Sequence, residues 1–187
     1  TKRVLAIPPI CDRAYQCLIK YALEPSAEAT FNAHSFGFRP GRGCHDIQRL
    51  LFSNLNGGRA NGISKRILEL DIEQCFDKID HKFLMQSVQL PKAAKQGVFR
   101  SIKAGVRGEF ISSESGSPQG GVISPLLANL VLHGLENVGF ELCNPREGGN
   151  INPIKGFRYA DDGVFILKPT DDSKLLQRHI DNFLKSR

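Results

Sequence analysis

The stretch FRYADDGVFIL, residues 157–167, limits the fold more than any other part of the chain. Phe157 and Tyr159 alternate with Arg158, and Val164 to Leu167 is a short β-rich run. Two strands therefore flank the adjacent carboxylates Asp161 and Asp162, as in a hairpin with charge at its tip. Consecutive strand residues face opposite sides, so only a tight turn keeps both aspartates near one place. Ninety residues earlier, KRILELD (65–71) alternates as a strand and ends on Asp71. If these strands are neighbours, three carboxylates meet at one rim of a sheet.

Crowded carboxylates in an apolar setting cannot all ionise unless cations neutralise them. Mg²⁺ suits such a place, because it is hard and commonly shared between carboxylates and substrate phosphates. Sites of this type hold two ions about 3.5–4 Å apart across a phosphoryl transfer. Spacing alone leaves a second explanation open, in which the aspartates serve only as turn residues or caps.

Charge adds a partner class. Residues 1–66 hold ten Lys and Arg against four Asp and Glu, while residues 67–187 hold fifteen of each. The whole net charge of +6 thus lies in the first third. A basic lobe beside a neutral remainder suits a polyanion such as nucleic acid, and equally a basic solvated surface. The five cysteines (11, 17, 44, 75, 143) form no C-x-x-C pair, which argues against a disulfide framework or structural zinc and for a reducing compartment. No apolar run is long enough for a membrane span, and the N-terminus lacks signal-peptide features. The absence of an initial Met suggests a piece of something longer.

The pattern predicts a strand over 3–8 and a helix opened by Asp12, with Ala14, Cys17, Leu18, Tyr21 and Ala22 on its inner face, stopping near Pro25. The loop SFGFRPGRG precedes a helix over 44–55 with Ile47, Leu50, Leu51 and Leu55 inward. After the 65–71 strand, Asp80 caps a helix to Leu90, Pro91 breaks it, and a second helix ends at Gly105. Residues 106–113 read as a strand. Ser124 caps, and Pro125 opens, a helix to about 138 built on Leu127, Leu130, Val131, Leu135 and Val138. A last helix starts near 171. This order is α+β, not a regular βαβ array, and no P-loop is present.

Five segments in order, RVLAIPPICDRAYQ (3–16), SFGFRPGRGCHD (35–46), LDIEQCFDKIDH (70–81), SPQGGVISPLLANL (117–130) and YADD (159–162), together resemble the reverse-transcriptase domain of group II intron-encoded proteins, the intron maturases. The likeness runs from residue 3 to about 168. GFRPGR and QGGVISPLLAN point to the group II class rather than to retroviral or retron enzymes. Two departures are small. RVLAIP stands where the family usually reads Arg-Pro-Leu-Gly-Ile-Pro, and Gly163 stands where a bulkier residue often follows YADD.

The resemblance implies a right-hand polymerase of fingers (1–64) and palm (65–187), with 80–119 packing back with the fingers and an antiparallel palm sheet packed with helices. The thumb is absent from this sequence. It further implies Asp71 and Asp161 as ligands of two Mg²⁺ ions, joined by the backbone carbonyl of Ile72, and Asp162 as the supporting carboxylate. Phe76 falls where the family places an aromatic gate under the sugar of the incoming nucleotide. Gln119 is suited to the nascent base pair or sugar. Gly120 and Gly121 let the backbone approach a nucleic-acid strand closely. Arg3 falls where fingers arginines grip the triphosphate, and a guanidinium fork fits phosphate oxygens. Arg39 and Arg42 are implied contacts to template or nucleotide phosphates. The implied partners are an RNA template, a DNA primer, dNTPs and group II intron RNA, with no membrane. The implied setting is intracellular, in a bacterial cytoplasm or organelle matrix. The implied activity is RNA-directed DNA synthesis with support of splicing and retrohoming. The alternative is an RNA-binding splicing cofactor whose polymerase site is unused. An RNA-dependent RNA polymerase is disfavoured, because it predicts a small residue at position 76.

Overall fold

The computed structural model describes residues 8–56, 64–103, 120–142 and 153–187. Most of the first expected strand, the expected strand over 106–113 and Cys143 lie outside these residues. Among the described residues, no helix is long and apolar enough to cross a membrane. The described cysteines, Cys11, Cys17, Cys44 and Cys75, are free thiols.

The chain forms two compact units that interleave along the sequence. One takes its described residues from Thr1–Thr30, Glu73–Leu132 and Ser186–Arg187, the other from Phe31–Ile72 and His133–Lys185. The expected boundary at 64/65 therefore falls within a segment of the second unit.

The first unit is helical. It contains α1 (Ile10–Thr30), α3 (Cys75–Lys78), α4 (His81–Ser87), α5 (Lys92–Lys103) and α6 (Ser124–Val131). α1 packs on α5 and α6, and α4 packs on the same two helices. The buried stripe of α1 is Gln16, Ile19, Leu23 and Ala27, at helical spacing. The expected inner face is therefore wrong in register: Leu18 and Tyr21 are 68% and 70% exposed. Burial selected a stripe headed by a polar residue because Gln16 has a partner inside. Its Oε1 accepts the Val122 N–H at 2.8 Å, which satisfies a group that would otherwise be costly to bury. α1 also runs through Pro25. Pro25 and Tyr21 are both exposed, so the carbonyl that loses its helical donor lies on the solvent side. Asp80 caps α4 as expected, accepting from the Phe83 N–H at 2.7 Å, although that helix ends at Ser87.

The second unit is a four-stranded sheet, β1 (Ser35–Phe36), β2 (Arg66–Asp71), β3 (Lys155–Tyr159) and β4 (Asp162–Leu167), ordered β1-β3-β4-β2. β1 runs parallel to β3, while the β3–β4 and β4–β2 pairs are antiparallel. On one face, α2 (Cys44–Leu55) sets Ile47 against Phe36, Phe157 and Ile166, with Leu50, Leu51 and Leu55 alongside. On the other, α7 (Val138–Glu141) and α8 (Ser173–Lys185) help enclose Leu135, Val138, Ile154, Phe165, Leu167, Leu176 and Ile180. The expected helix to 138 is interrupted: α6 ends at Val131, and a 3₁₀ turn, Leu135–Asn137, precedes α7. Its apolar periodicity nevertheless carries through, since Leu127, Val131, Leu135 and Val138 are all buried.

Candidate active site

β3 and β4 close through a two-residue loop, Ala160–Asp161, between the paired residues Tyr159 and Asp162. Ala160 has φ +56°, while Asp161 is not among the residues of positive φ. This sign pattern is that of a type II′ turn, whose twist matches a hairpin and whose first loop residue is ordinarily glycine. An alanine held there is strained by roughly 1–2 kcal/mol. Both of its peptide groups are tied: its N–H donates to the Phe36 carbonyl at 3.1 Å, and its carbonyl accepts from Arg158 at 2.8 Å.

β2 completes the arrangement. Its last residue, Asp71, is the direct antiparallel partner of Asp162. Asp71, Asp162 and Tyr159 thus form one cross-strand row on one face, and Asp161 stands beside them in the turn. Like charges directly opposite each other are destabilising in a sheet. The Asp162 carboxyl is accordingly pushed above the usual carboxylate range, first by partial loss of hydration, then by Asp161 and Asp71. Three carboxylates at one hairpin tip, one of them raised in pKa by lost hydration and by its two neighbours, fit a hard oxygen-seeking cation such as Mg²⁺ by donor chemistry. The arrangement is two facing carboxylates with a third in the turn, not a finished cage: among the described residues no three His, Cys, Asp or Glu side chains already surround one point.

The other expected site residues fall in several places. Ile72 follows β2, and its side chain packs on the core under the sheet. Phe76 is half-buried in α3, in the helical unit, as are exposed Gly120, at φ +106°, and buried Gly121. Arg3 and Gln119 lie outside the described residues. The two arginines of SFGFRPGRG differ from each other. Arg39 is 6% exposed, donates from Nη1 to the carbonyls of Asn32 and Ser35 at 2.7 and 2.8 Å, and lies over the Phe31 ring. Arg42 is half-buried, donates to the Ala33 carbonyl at 2.7 Å, and lies over Phe36. Both shape the loop that carries β1.

Four residues at the hairpin escaped the sequence reading: Ser35, Gly37, Glu136 and Arg158. The signal for one was visible, since an arginine inside an otherwise apolar strand has to be either outward or paired. Arg158 is inward, because β3 is covered on both faces; Phe157 and Arg158, consecutive residues, are each only 1% exposed. Nothing in the sequence marked its partners.

The family described as reverse transcriptase (RNA-dependent DNA polymerase) matches residues 1–187. Among curated proteins, the chain is 33% identical over 181 residues to maturase-like protein 1 of Euglena gracilis, covering 97% of this chain and 35% of that protein. It is 35% identical over 145 residues to the group II intron-encoded protein LtrA of Lactococcus lactis subsp. cremoris, covering 75% of this chain and 23% of that protein. The chain thus spans about a third or less of the length of these relatives. Among solved structures, the telomerase of Candida tropicalis, determined with a fragment of telomeric RNA, aligns at a TM-score of 0.62 with 12% identity, over 88% of this chain and 31% of that one. That likeness is one of fold. With the whole chain matched and its relatives encoded by group II introns or named as maturases, this protein belongs to the reverse transcriptase family.

Proposed function

We propose that this chain is the fingers–palm part of an RNA-directed DNA polymerase of the group II intron type, which extends a DNA primer on an RNA template and binds intron RNA to support splicing and retrohoming. The observation that carries this reading is the register Asp71↔Asp162 beside the Ala160–Asp161 turn, which gathers three carboxylates at one sheet rim. The sheet unit takes the palm role and the helical unit the fingers role.

In the reaction the primer 3′-hydroxyl loses its proton and forms a bond to the α-phosphorus of a dNTP, while the bond to the β-phosphate oxygen breaks and pyrophosphate leaves. Asp71 and Asp161, with the Ile72 carbonyl, would hold two Mg²⁺ ions, and Asp162 would support them. Metal held there would neutralise the carboxylates and offset charge on the phosphate oxygens. The protein's own contribution is to hold its carboxylates at the rim and to orient sugar and base. Phe76 excludes a 2′-hydroxyl, Gln119 meets the nascent pair, and Gly120 and Gly121 admit the strand. Arg3 and Arg42 receive phosphates. Arg39, buried and bonded to carbonyls, acts on the template by shaping the loop that bears Arg42.

Primer extension on RNA with dNTPs and Mg²⁺ tests the reading. Asp161→Asn is expected to lower extension by about a hundred- to a thousandfold, as the loss of a principal charge-stabilising group does, with RNA binding largely retained. Extension at the wild-type rate would refute the ligand assignment. Phe76→Ala is expected to admit ribonucleotides; unchanged sugar selectivity would remove the gate. The names of the maturase-like relatives favour one second reading, a splicing cofactor that leaves the polymerase site unused. That reading prevails if the wild-type protein binds intron RNA and promotes splicing yet never extends a primer.

A further inference from the structure

We infer that Arg158 is the positioning residue of the Asp161–Asp162 pair, acting through the turn between them and β3. The side chain leaves β3 on the face opposite Tyr159 and Asp162 and is 1% exposed. Its guanidinium uses three separate donors. Nε donates to Glu136 Oε1 at 2.7 Å, Nη2 to Ser35 Oγ at 2.7 Å, and Nη1 to the Ala160 carbonyl at 2.8 Å. Ala160 is the strained turn residue immediately before Asp161, so the third bond holds the peptide from which Asp161 springs.

The other two bonds anchor the fork. Glu136, 3% exposed, compensates the buried positive charge, and its second oxygen accepts the Gly134 N–H at 3.3 Å. Glu136 can come this near the sheet because Gly156 lies beneath it; a Cβ at Gly156 would sit 2.6 Å from the Glu136 carbonyl oxygen. Ser35 belongs to β1, whose neighbour Phe36 accepts the Ala160 N–H. Ala160 is therefore held at both of its peptide groups, at its N–H by β1 and at its carbonyl by Arg158, whose Nη2 is itself anchored on β1. Only a planar guanidinium reaches all three acceptors at once. A lysine keeps the charge beside Glu136 but places a single ammonium where three directed donors are used. The carboxylates themselves gain no contact from this role; what Arg158 supplies is the angle at which they leave the turn.

The positioning claim is structural, and its catalytic consequence rests on the polymerase reading above. Two measurements on the full chain separate them. In Arg158→Lys, amide hydrogen exchange at Ala160 should accelerate by about tenfold or more, while Phe165 and Leu167 in β4 stay near wild-type protection. In primer extension, kcat should fall by about a hundredfold, the cost of a misplacement near 1 Å, with the KM for dNTP and the affinity for template little changed. Should the lysine variant not fold, Ser35→Ala removes one anchor of the fork and is expected to give the same pattern in smaller degree. Ala160 exchange at the wild-type rate in these variants overturns the inference. So does protection lost evenly along β3 and β4, which would make Arg158 general packing, and so does a loosened turn with unchanged kcat. If the wild-type chain extends no primer, the polymerase reading fails, and the exchange comparison still decides whether Arg158 positions the pair.

Discussion

Asp162 shows how a single residue reports on its site. Its carboxyl titrates above its usual value of 3.8 in the folded chain because hydration is partly lost and Asp161 and Asp71 stand close. Folding therefore favours the protonated form. That contribution is complete below the ordinary carboxylate pKa and is lost as pH rises through the raised value, so at neutral pH the ionised group works against the fold. In metal-free buffer at pH 7, Asp162→Asn is expected to melt at a higher temperature than the wild type. The gap should close as pH falls below about 4, where the wild-type carboxyl is protonated as well. Added Mg²⁺ should also narrow it by neutralising the cluster. Equal melting temperatures across this range would show that the three carboxylates do not repel.

Elements decide where such residues can stand, and the 157–167 hairpin depends on a loop distant in sequence. Gly37, at φ +78°, follows β1 and lies against the turn; a Cβ there would come within 2.6 Å of the Ala160 backbone nitrogen. Gly37→Ala is thus expected to cost roughly 1–2 kcal/mol from its backbone conformation alone, and more through displacement of the turn. Urea unfolding would show the first loss and Ala160 hydrogen exchange the second; a variant as stable as the wild type would mean that the loop yields freely. The element pattern itself was largely readable. α2, β2 and the hairpin fall where apolar periodicity placed them: α2 buries Ile47 with Leu50, Leu51 and Leu55 half-buried beside it, β2 half-buries Leu68 and Leu70, and β3 and β4 bury most of their residues. The face of α1 was misread: its more apolar side, with Leu18 and Tyr21, is exposed, whereas Gln16 is buried on a backbone donor 106 residues away.

At the scale of the whole molecule, two separately packed cores share one chain. Leu127 belongs to the helical unit and Leu176 to the sheet unit, and both are completely buried. Truncating either to alanine is expected to cost about 2–5 kcal/mol, measured by urea unfolding, through lost burial and a residual cavity. A loss below 1 kcal/mol at either site would show that its core relaxes to fill the gap. The interleaving of these units was not readable from local sequence: the compact units exchange chain at 30/31, 72/73, 132/133 and 185/186. What local sequence did establish is the set of strand-end aspartates, because alternation and turn chemistry act over a few residues, and the family likeness, because its blocks are contiguous words. Folding in three dimensions was needed to set Asp71 opposite Asp162, to seat Gly37 against Ala160, and to gather Ser35, Glu136 and Ala160 around Arg158. Those contacts join segments up to 123 residues apart. Their formation depends on which faces the sheet unit buries, and no local pattern encodes that.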